Sequence, residues 1–120
     1  MRRVRAGALA LLLCLNAQAA PTAKAVRTEI DSLLGQLSAS GCQFNRNGTW
    51  HSADEARTHL LRKLSALEDR GRVDSTEQFI ALAASKSSTS GEPYQVRCGA
   101  AKPTPSADWL TQQLQRLRGK

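Results

Sequence analysis

A cluster of hydroxyl side chains, Ser87, Ser88 and Ser90, lies just before a glycine in the second half of the chain. A serine beside an imidazole base is the arrangement of a nucleophilic hydrolase. His59 would be that base, and Glu55, four residues before it in a predicted helix, would orient the ring. The sequence contains no Gly-x-Ser-x-Gly nucleophile elbow. A small hydrolase using Ser87 or Ser88 with His59 is therefore the alternative hypothesis.

The serine cluster also has an interpretation as a binding site. Hydroxyls and the backbone N–H groups of a glycine turn can together hold a phosphate or a carboxylate, and a nearby arginine would add a charged fork. The candidate ligand-binding residues are Arg46, Asn47, Ser87, Ser88, Ser90 and Tyr94. A loop that only connects a helix to a strand would explain the same residues, because serines are common in turns.

The first nineteen residues have the form of a secretory signal. A basic segment, Met1–Arg5, precedes an apolar run, Ala6–Leu15, and small residues follow at Ala17–Ala19. We predict a mature chain that begins at Ala20 and resides in the periplasm. The apolar run has about ten residues, against roughly 18 for a membrane-spanning helix, so no membrane span is expected. Cys14 does not indicate a lipoprotein signal, because bulky leucines precede it.

The net charge falls when the leader is removed. The whole chain has a net charge of +7, and loss of Arg2, Arg3 and Arg5 leaves 14 basic residues against 10 acidic ones, or +4. This mild excess permits weak binding to anionic envelope surfaces, a further alternative, but it lacks the dense basic face of a nucleic-acid binder. No Asp or Cys stands at metal-ligand spacing to a histidine, so we expect no metal and no cofactor.

Two cysteines, Cys42 and Cys98, remain in the predicted mature chain. An even pair in an oxidising compartment predicts a disulfide. Closing a loop of about 57 residues would stabilise the fold by roughly 4 kcal/mol in the chain-entropy model. A redox-active pair would need close spacing such as Cys-x-x-Cys, which is absent here.

Hydrophobic periodicity predicts four amphipathic helices. The first spans Thr22 to Leu37 and ends near Ser40-Gly41. The second begins at a capping box, Ser52-Ala53-Asp54-Glu55, and Asp74-Ser75-Thr76-Glu77 repeats that pattern for the third. Ser106 is predicted to cap the fourth, after a linker from Gly99 to Pro105.

Two segments predict a small antiparallel sheet. Asn47-Gly48 lies between two short aromatic-containing stretches, which is the strongest short hairpin signal. The alternation of Tyr94, Val96 and Cys98 predicts a strand with these three residues on one face. The disulfide would place that strand beside the hairpin strand that Cys42 begins. Residues 20–120 are therefore predicted to be a single α+β domain of four helices, a hairpin plus one strand, and one disulfide.

Five segments of the chain carry a family resemblance: the run from Cys42 to Trp50, the run from Ser52 to Leu60, Phe79-Ile80, the run from Ser87 to Tyr94, and Trp109-Leu110. They resemble the YfeK-like family of small exported proteobacterial proteins, which is classed as a domain of unknown function. They occur in the same order and cover nearly the whole mature chain. The resemblance implies a periplasmic location and a single domain, and it implies no catalytic residue or cofactor.

The leading functional hypothesis is a non-enzymatic periplasmic module that binds a protein or a small envelope ligand. The absence of a catalytic constellation favours it over an enzyme. The hairpin around Arg46 and Asn47 and the loop from Ser87 to Tyr94 would form the binding surface. The sequence does not determine the oligomeric state or the partner.

The predicted leader can be tested by mass spectrometry of the protein purified from the periplasm of an expressing bacterium. We expect an intact mass and an N-terminal peptide that begin at Ala20, because Ala17-Gln18-Ala19 places small residues where signal peptidase requires them. A cytoplasmic protein that retains Met1–Arg5 would contradict the assignment.

Overall fold

The computed structural model describes residues 21–71 and 73–120 and shows the α+β fold that the sequence predicts. The predicted leader, Cys14 and the predicted start at Ala20 lie outside the described residues. In the described part the helices are α1 (Lys24–Ala39), α2 (Ala53–Glu68), α3 (Thr76–Ala83) and α4 (Ser106–Leu117). The strands are β1 (Gln43–Arg46), β2 (Thr49–Ser52), β3 (Gln95–Arg97) and β4 (Thr104–Pro105). None of these helices is long and apolar enough to cross a membrane.

The four strands form one antiparallel sheet in the order β2-β1-β3-β4. Asn47 and Gly48 have positive φ values of 53° and 86°, as the predicted Asn-Gly hairpin turn requires. β3 pairs with β1, which confirms the predicted neighbour. β4 is additional to the prediction and lies in the segment expected to be a linker, where Thr104 and Pro105 pair with β3.

Serine side chains determine where two of the helices begin. Ser52 Oγ accepts a hydrogen bond from the Glu55 backbone N–H at 3.1 Å, and the Glu55 carboxylate accepts one from the Ser52 N–H at 2.9 Å. This confirms the capping box of α2. α3 is capped by Ser75, whose Oγ accepts from the Gln78 N–H at 3.0 Å. The cap is thus one residue later than the Asp74 cap that the repeated pattern indicated.

The predicted capping role of Ser106 is wrong. The residue before α4 is Pro105, which makes no side-chain cap, and Ser106 is the first residue of the helix. Ser106 is fully buried, and its Oγ donates to the Ala84 carbonyl oxygen at 2.9 Å. A buried hydroxyl needs a hydrogen-bond partner, and the end of α3 supplies one. Ser106 therefore joins α4 to α3.

The core lies between the helices and the inner face of the sheet. Leu33, Leu37 and Leu60 are fully buried where α1 packs against α2, and Phe44 and Val96 cover this core from β1 and β3. Their spacing follows the helical and strand periods that the sequence shows. The other fully or nearly fully buried apolar residues include Ile30, Leu34, Leu64, Phe79, Leu110 and Leu114.

Arg118, directly after α4, joins the end of this helix to two others. Its guanidinium donates to the Glu29 carboxylate of α1 at 2.7 and 2.9 Å and to Glu77 of α3 at 2.6 and 3.2 Å. Thr76 also donates to Glu29. The hydrogen bonds from Arg118 and then Thr76 lower the pKa of Glu29 to about 2. This carboxylate therefore stays ionised at neutral and mildly acidic pH.

The disulfide between Cys42 and Cys98 is present, with the two Cα atoms 4.3 Å apart. Cys42 precedes β1 and Cys98 follows β3, so the bond closes the paired ends of two neighbouring strands. It crosses 56 residues of sequence, a span that contains β2, α2 and α3. The bond therefore constrains most of the chain that surrounds the sheet.

Reduction of the disulfide should lower the free energy of unfolding by about 4 kcal/mol, because the open loop regains conformational entropy when the chain unfolds. The measurement is urea unfolding of the mature chain with and without reductant. Cys42 and Cys98 are the only cysteines after residue 20, so reductant acts on this bond alone. Equal unfolding midpoints for the two forms would contradict the expected role.

Candidate functional site

A cavity of about 250 Å³ lies between the hairpin turn, the serine loop (residues 85–93) and one face of α2. The serine loop connects α3 to β3 and folds back towards the hairpin. The residues that line the cavity are Arg46, Asn47, His59, Lys63, Ser87, Ser88, Thr89 and Tyr94. Five of the six residues predicted from the sequence to bind a ligand are in this set. Ser90, the sixth, contacts it through Asn47.

Asn47 holds the hairpin turn against the serine loop. Its Nδ2 donates to Ser87 Oγ at 3.3 Å, and its Oδ1 accepts from Ser90 Oγ at 2.6 Å. Both the nitrogen and the oxygen of the side-chain amide therefore form hydrogen bonds. Each bond joins residues that are 40 or more positions apart in the sequence. These two hydrogen bonds bring together the two loops that the sequence analysis combined into one site.

Ser87 organises the serine loop from the inside. The residue is only 5% exposed, and its Oγ accepts from the backbone N–H groups of Thr89 and Ser90, both at 3.2 Å. Asn47 is a further donor, and Thr89 Oγ1 lies 3.0 Å away, where either hydroxyl can donate. Ser87 therefore has hydrogen-bond partners in the serine loop and in the hairpin turn.

The backbone of the serine loop is also internally bonded. The Ser87 N–H donates to the Glu92 carbonyl oxygen at 2.9 Å, and the Gly91 N–H donates to the Ser87 carbonyl oxygen at 3.0 Å. The Glu92 N–H donates to Ser90 Oγ at 3.1 Å. The successive N–H groups that the sequence analysis assigned to an anion are thus largely used by the loop itself.

Tyr94 forms the inner wall of the cavity. It is only 1% exposed, and its ring packs against Phe44 with 5.1 Å between the ring centroids. Its Oη lies 3.1 Å from both Lys63 Nζ and His59 Nε2. His59 and Lys63 are four residues apart on α2, so both side chains leave the same face of the helix.

The directions of these hydrogen bonds follow from the chemistry of the groups. The Lys63 ammonium can only donate, so Tyr94 Oη accepts from it. The direction of the bond to His59 depends on the imidazole tautomer, and we infer the tautomer in which Tyr94 donates its hydrogen to His59 Nε2. An imidazole that accepts at Nε2 is neutral and has its proton on Nδ1. Lys63 also donates to the Lys86 carbonyl oxygen at 3.0 Å, which joins α2 to the serine loop.

His59 is held in its neutral form. Burial, and then the positive charges of Arg46, Lys63, Arg62 and His51, lower its pKa from the usual 6.5 to about 4. The charge effects show that the imidazole lies in a positive electrostatic potential. At neutral pH His59 therefore holds no charge.

No hydrogen bond joins His59 to Ser87, Ser88 or Ser90 in the part of the chain that the structure describes. The imidazole Nε2 is occupied by Tyr94, and Ser87 Oγ has its own partners in the loop. The nucleophile–base contact of the alternative hydrolase hypothesis is thus not formed. Over residues 21–71 and 73–120, no three His, Cys, Asp or Glu side chains gather as metal ligands.

Lys63 and Thr89 are the cavity residues that the sequence analysis missed. Lys63 lies beside the apolar stripe of α2 and looks like any solvated lysine, although its spacing of four from His59 places both on one face. The sequence indicates for His59 a role as a general base beside Glu55 and a serine. Its true partner, Tyr94, is 35 residues away and is found only in the folded chain.

The profile of a family of unknown function, DUF5329, matches residues 24–118. The chain belongs to this family. It is also similar to the uncharacterized protein YfeK of Salmonella typhimurium strain LT2, with 39% identity over 95 residues that cover 78% of this chain and 77% of YfeK. The resemblance to the YfeK-like family is therefore confirmed. No solved structure matches the chain.

The protonation state of His59 in this DUF5329 member can be measured by imidazole ¹⁵N NMR. His51→Gln removes the only other histidine, so the remaining signals belong to His59. We expect a neutral Nδ1–H ring with a midpoint of about 4, since burial and neighbouring cations oppose protonation. A midpoint near 6.5, or an Nε2–H ring, would contradict the hydrogen-bond directions given above.

The same shift predicts how stability depends on pH. Unfolded His59 takes up a proton near pH 6.5 and folded His59 only near pH 4, so stability falls as the pH is lowered between these values. The His59→Gln variant should lose the decrease in the free energy of unfolding between pH 6.5 and pH 4. The His51→Gln variant should still show this decrease.

Proposed function

We propose that this protein is a non-enzymatic binding module of the bacterial envelope and that it holds a small envelope ligand in the cavity between the hairpin and the serine loop. The supporting observation is that residues chosen from two distant loops line one cavity, namely Arg46, Asn47, Ser87, Ser88 and Tyr94. The cavity volume of about 250 Å³ is below the range of roughly 300–1,000 Å³ for drug-sized ligands. The ligand is therefore a small molecule or a small group of a larger one.

The rigidity of the cavity wall supports binding. Asn47 and Ser87 hold the two loops together through side-chain hydrogen bonds, and Tyr94 is fixed by the core and by two partners on α2. Groups that are ordered before a ligand arrives lose less conformational entropy when it binds. Such an arrangement suits recognition and does not require a moving part.

A periplasmic location is part of the proposal. The leader-like segment of residues 1–19 supports export, and a disulfide that spans 56 residues is typical of proteins in oxidising compartments. The small envelope ligand would therefore be met outside the cytoplasm. The N-terminal measurement described for the leader tests this part independently of the cavity.

The proposal can be tested by blocking the cavity. Ser88 is exposed and lines the cavity, so Ser88→Trp should fill the opening without disturbing the buried hydrogen bonds of Ser87. Ser65→Trp adds the same ring to an exposed position of α2 that does not line the cavity. Equal thermal midpoints for the two variants would show that both are folded.

The probe is the low-molecular-weight fraction of a periplasmic extract, added to ¹⁵N-labelled protein. We expect saturable shifts of the Asn47, Ser88 and Thr89 amide signals in the wild type and in Ser65→Trp, with a loss of at least tenfold in affinity for Ser88→Trp, because a filled cavity excludes the ligand. Shifts that persist in Ser88→Trp, or no saturable shift in the wild type, would overturn the proposal.

A further inference from the structure

Among the described residues, two cationic side chains and no carboxylate line the cavity. Arg46 comes from β1 and Lys63 from α2. Over the described residues neither cation forms an ion pair. The carboxylate of Glu55 lies close enough for its charge to interact with Arg46, but its hydrogen bonds go to Ser52 in the α2 capping box.

Hydrogen-bond accounting shows which groups are left for a ligand. Both ends of the Asn47 amide are used, and the Tyr94 hydroxyl is committed to Lys63 and His59. The Lys63 ammonium has three N–H donors, and two of them bind Tyr94 Oη and the Lys86 carbonyl oxygen. In the described structure the Arg46 guanidinium has no hydrogen-bond partner, and neither does the exposed hydroxyl of Ser88. The cavity therefore offers donors, most of them charged.

The lowered pKa of His59 also indicates that positive charge surrounds the cavity. Burial makes the largest contribution to its lowered pKa, and the next contributions come from Arg46, Lys63, Arg62 and His51. Of these groups, Arg46 on β1 and Lys63 on α2 line the cavity together with His59, so two elements bring positive charge to it. An anion placed there would meet a favourable potential before it formed any hydrogen bond.

We propose that the cavity binds a small oxyanion, meaning a phosphate monoester or a carboxylate, through the Arg46 guanidinium and the free N–H donor of the Lys63 ammonium. This inference rests on the proposed function. The Arg46 fork can donate two parallel hydrogen bonds to such a group, and Lys63 adds a point charge from the opposite element. Ser88 can donate a further neutral hydrogen bond at the opening. The small volume restricts the ligand to one oxyanion and a short attached group.

Methyl phosphate and sodium acetate are suitable probes because they represent the two oxyanions with a minimal attached group, and tetramethylammonium chloride serves as a cationic control. Binding is followed by the amide shifts of Ser88 and Thr89 and by the titration of His59. We expect saturation by at least one oxyanion with Kd on the order of 1 mM, since fragments make few contacts. The probe with the lower Kd shows whether the ligand is a phosphate monoester or a carboxylate.

The expected effect of the variants follows from the loss of a charge-assisted hydrogen bond. Arg46→Gln and Lys63→Gln should each weaken oxyanion binding by about tenfold or more, and Arg46→Lys should recover part of the loss because it keeps the charge. Arg116→Gln and Lys24→Gln remove the same charge from exposed positions outside the cavity and should change Kd by less than about twofold because solvent screens them.

The His59 titration supplies a readout that a merely structural role of Arg46 or Lys63 would not produce. A bound oxyanion offsets the positive charges around the imidazole, so the pKa of His59 should rise above about 4 when methyl phosphate, which keeps a negative charge at this pH, saturates the wild type. By linkage, oxyanion affinity should increase as the pH falls towards that higher value. Tetramethylammonium should leave the titration unchanged.

Three results would overturn the inference: no saturation by either oxyanion, an unchanged His59 titration when methyl phosphate is bound, or equal weakening by Arg116→Gln and Arg46→Gln. If the periplasmic fraction shifts the cavity signals and Ser88→Trp abolishes those shifts while both oxyanions fail, the cavity binds a ligand of another class. The proposed function would then stand and the oxyanion assignment would fall. If the periplasmic fraction and both oxyanions all fail, the two proposals fall together.

Discussion

The buried hydroxyl of Tyr94 is the interaction on which the arrangement of the cavity depends. A phenol that is 99% removed from solvent needs hydrogen-bond partners, because an unpaired buried hydroxyl costs on the order of 1–3 kcal/mol. Lys63 and His59 supply those partners, so α2 is held in register with the residue before β3. The backbone of Tyr94 extends the same constraint, because its N–H donates to Ser85 and its carbonyl oxygen accepts from Ser106. One residue thereby fixes α2, the serine loop and α4 relative to the sheet.

The sheet and the disulfide determine which parts of the chain can meet at this residue. β1 is an inner strand, with Cys42 before it and Arg46 at its far end. The disulfide closes one end of the β1–β3 pair, and Asn47 binds the serine loop at the other end, where Tyr94 precedes β3. Covalent and polar constraints thus act at opposite ends of the same two strands. The cavity lies at the polar end, where exposed loops can carry functional groups while the core packing stays unchanged.

Local features were predictable from the sequence, and the missed ones depend on tertiary contacts. The capping box at Ser52 and the Asn-Gly turn are encoded within four residues, so the start of α2 and the hairpin could be predicted. β4 was missed because it has two residues, one of them a proline, and forms only by pairing with β3. Ser106 has the residue type of a cap, but its burial against Ala84 decides its role. The two candidate loops were recognised by composition, whereas Lys63 entered the site only through its contact with Tyr94.

Three arginines elsewhere in the fold contrast with Arg46. Arg118 binds two carboxylates, and Arg27 binds Asp31 and Glu68. Arg97 stacks 3.9 Å from the Trp50 ring centroid and donates to Gln43 at 2.7 Å. Those cations have local partners that account for their position. Arg46 and Lys63 both lie near His59, and no carboxylate lines the cavity among the described residues. The position of Lys63 is explained by its hydrogen bonds to Tyr94 and to the Lys86 carbonyl oxygen, whereas the Arg46 guanidinium has no hydrogen bond or ion pair in the described part of the chain. An anionic ligand would supply the partner that the described residues do not give Arg46.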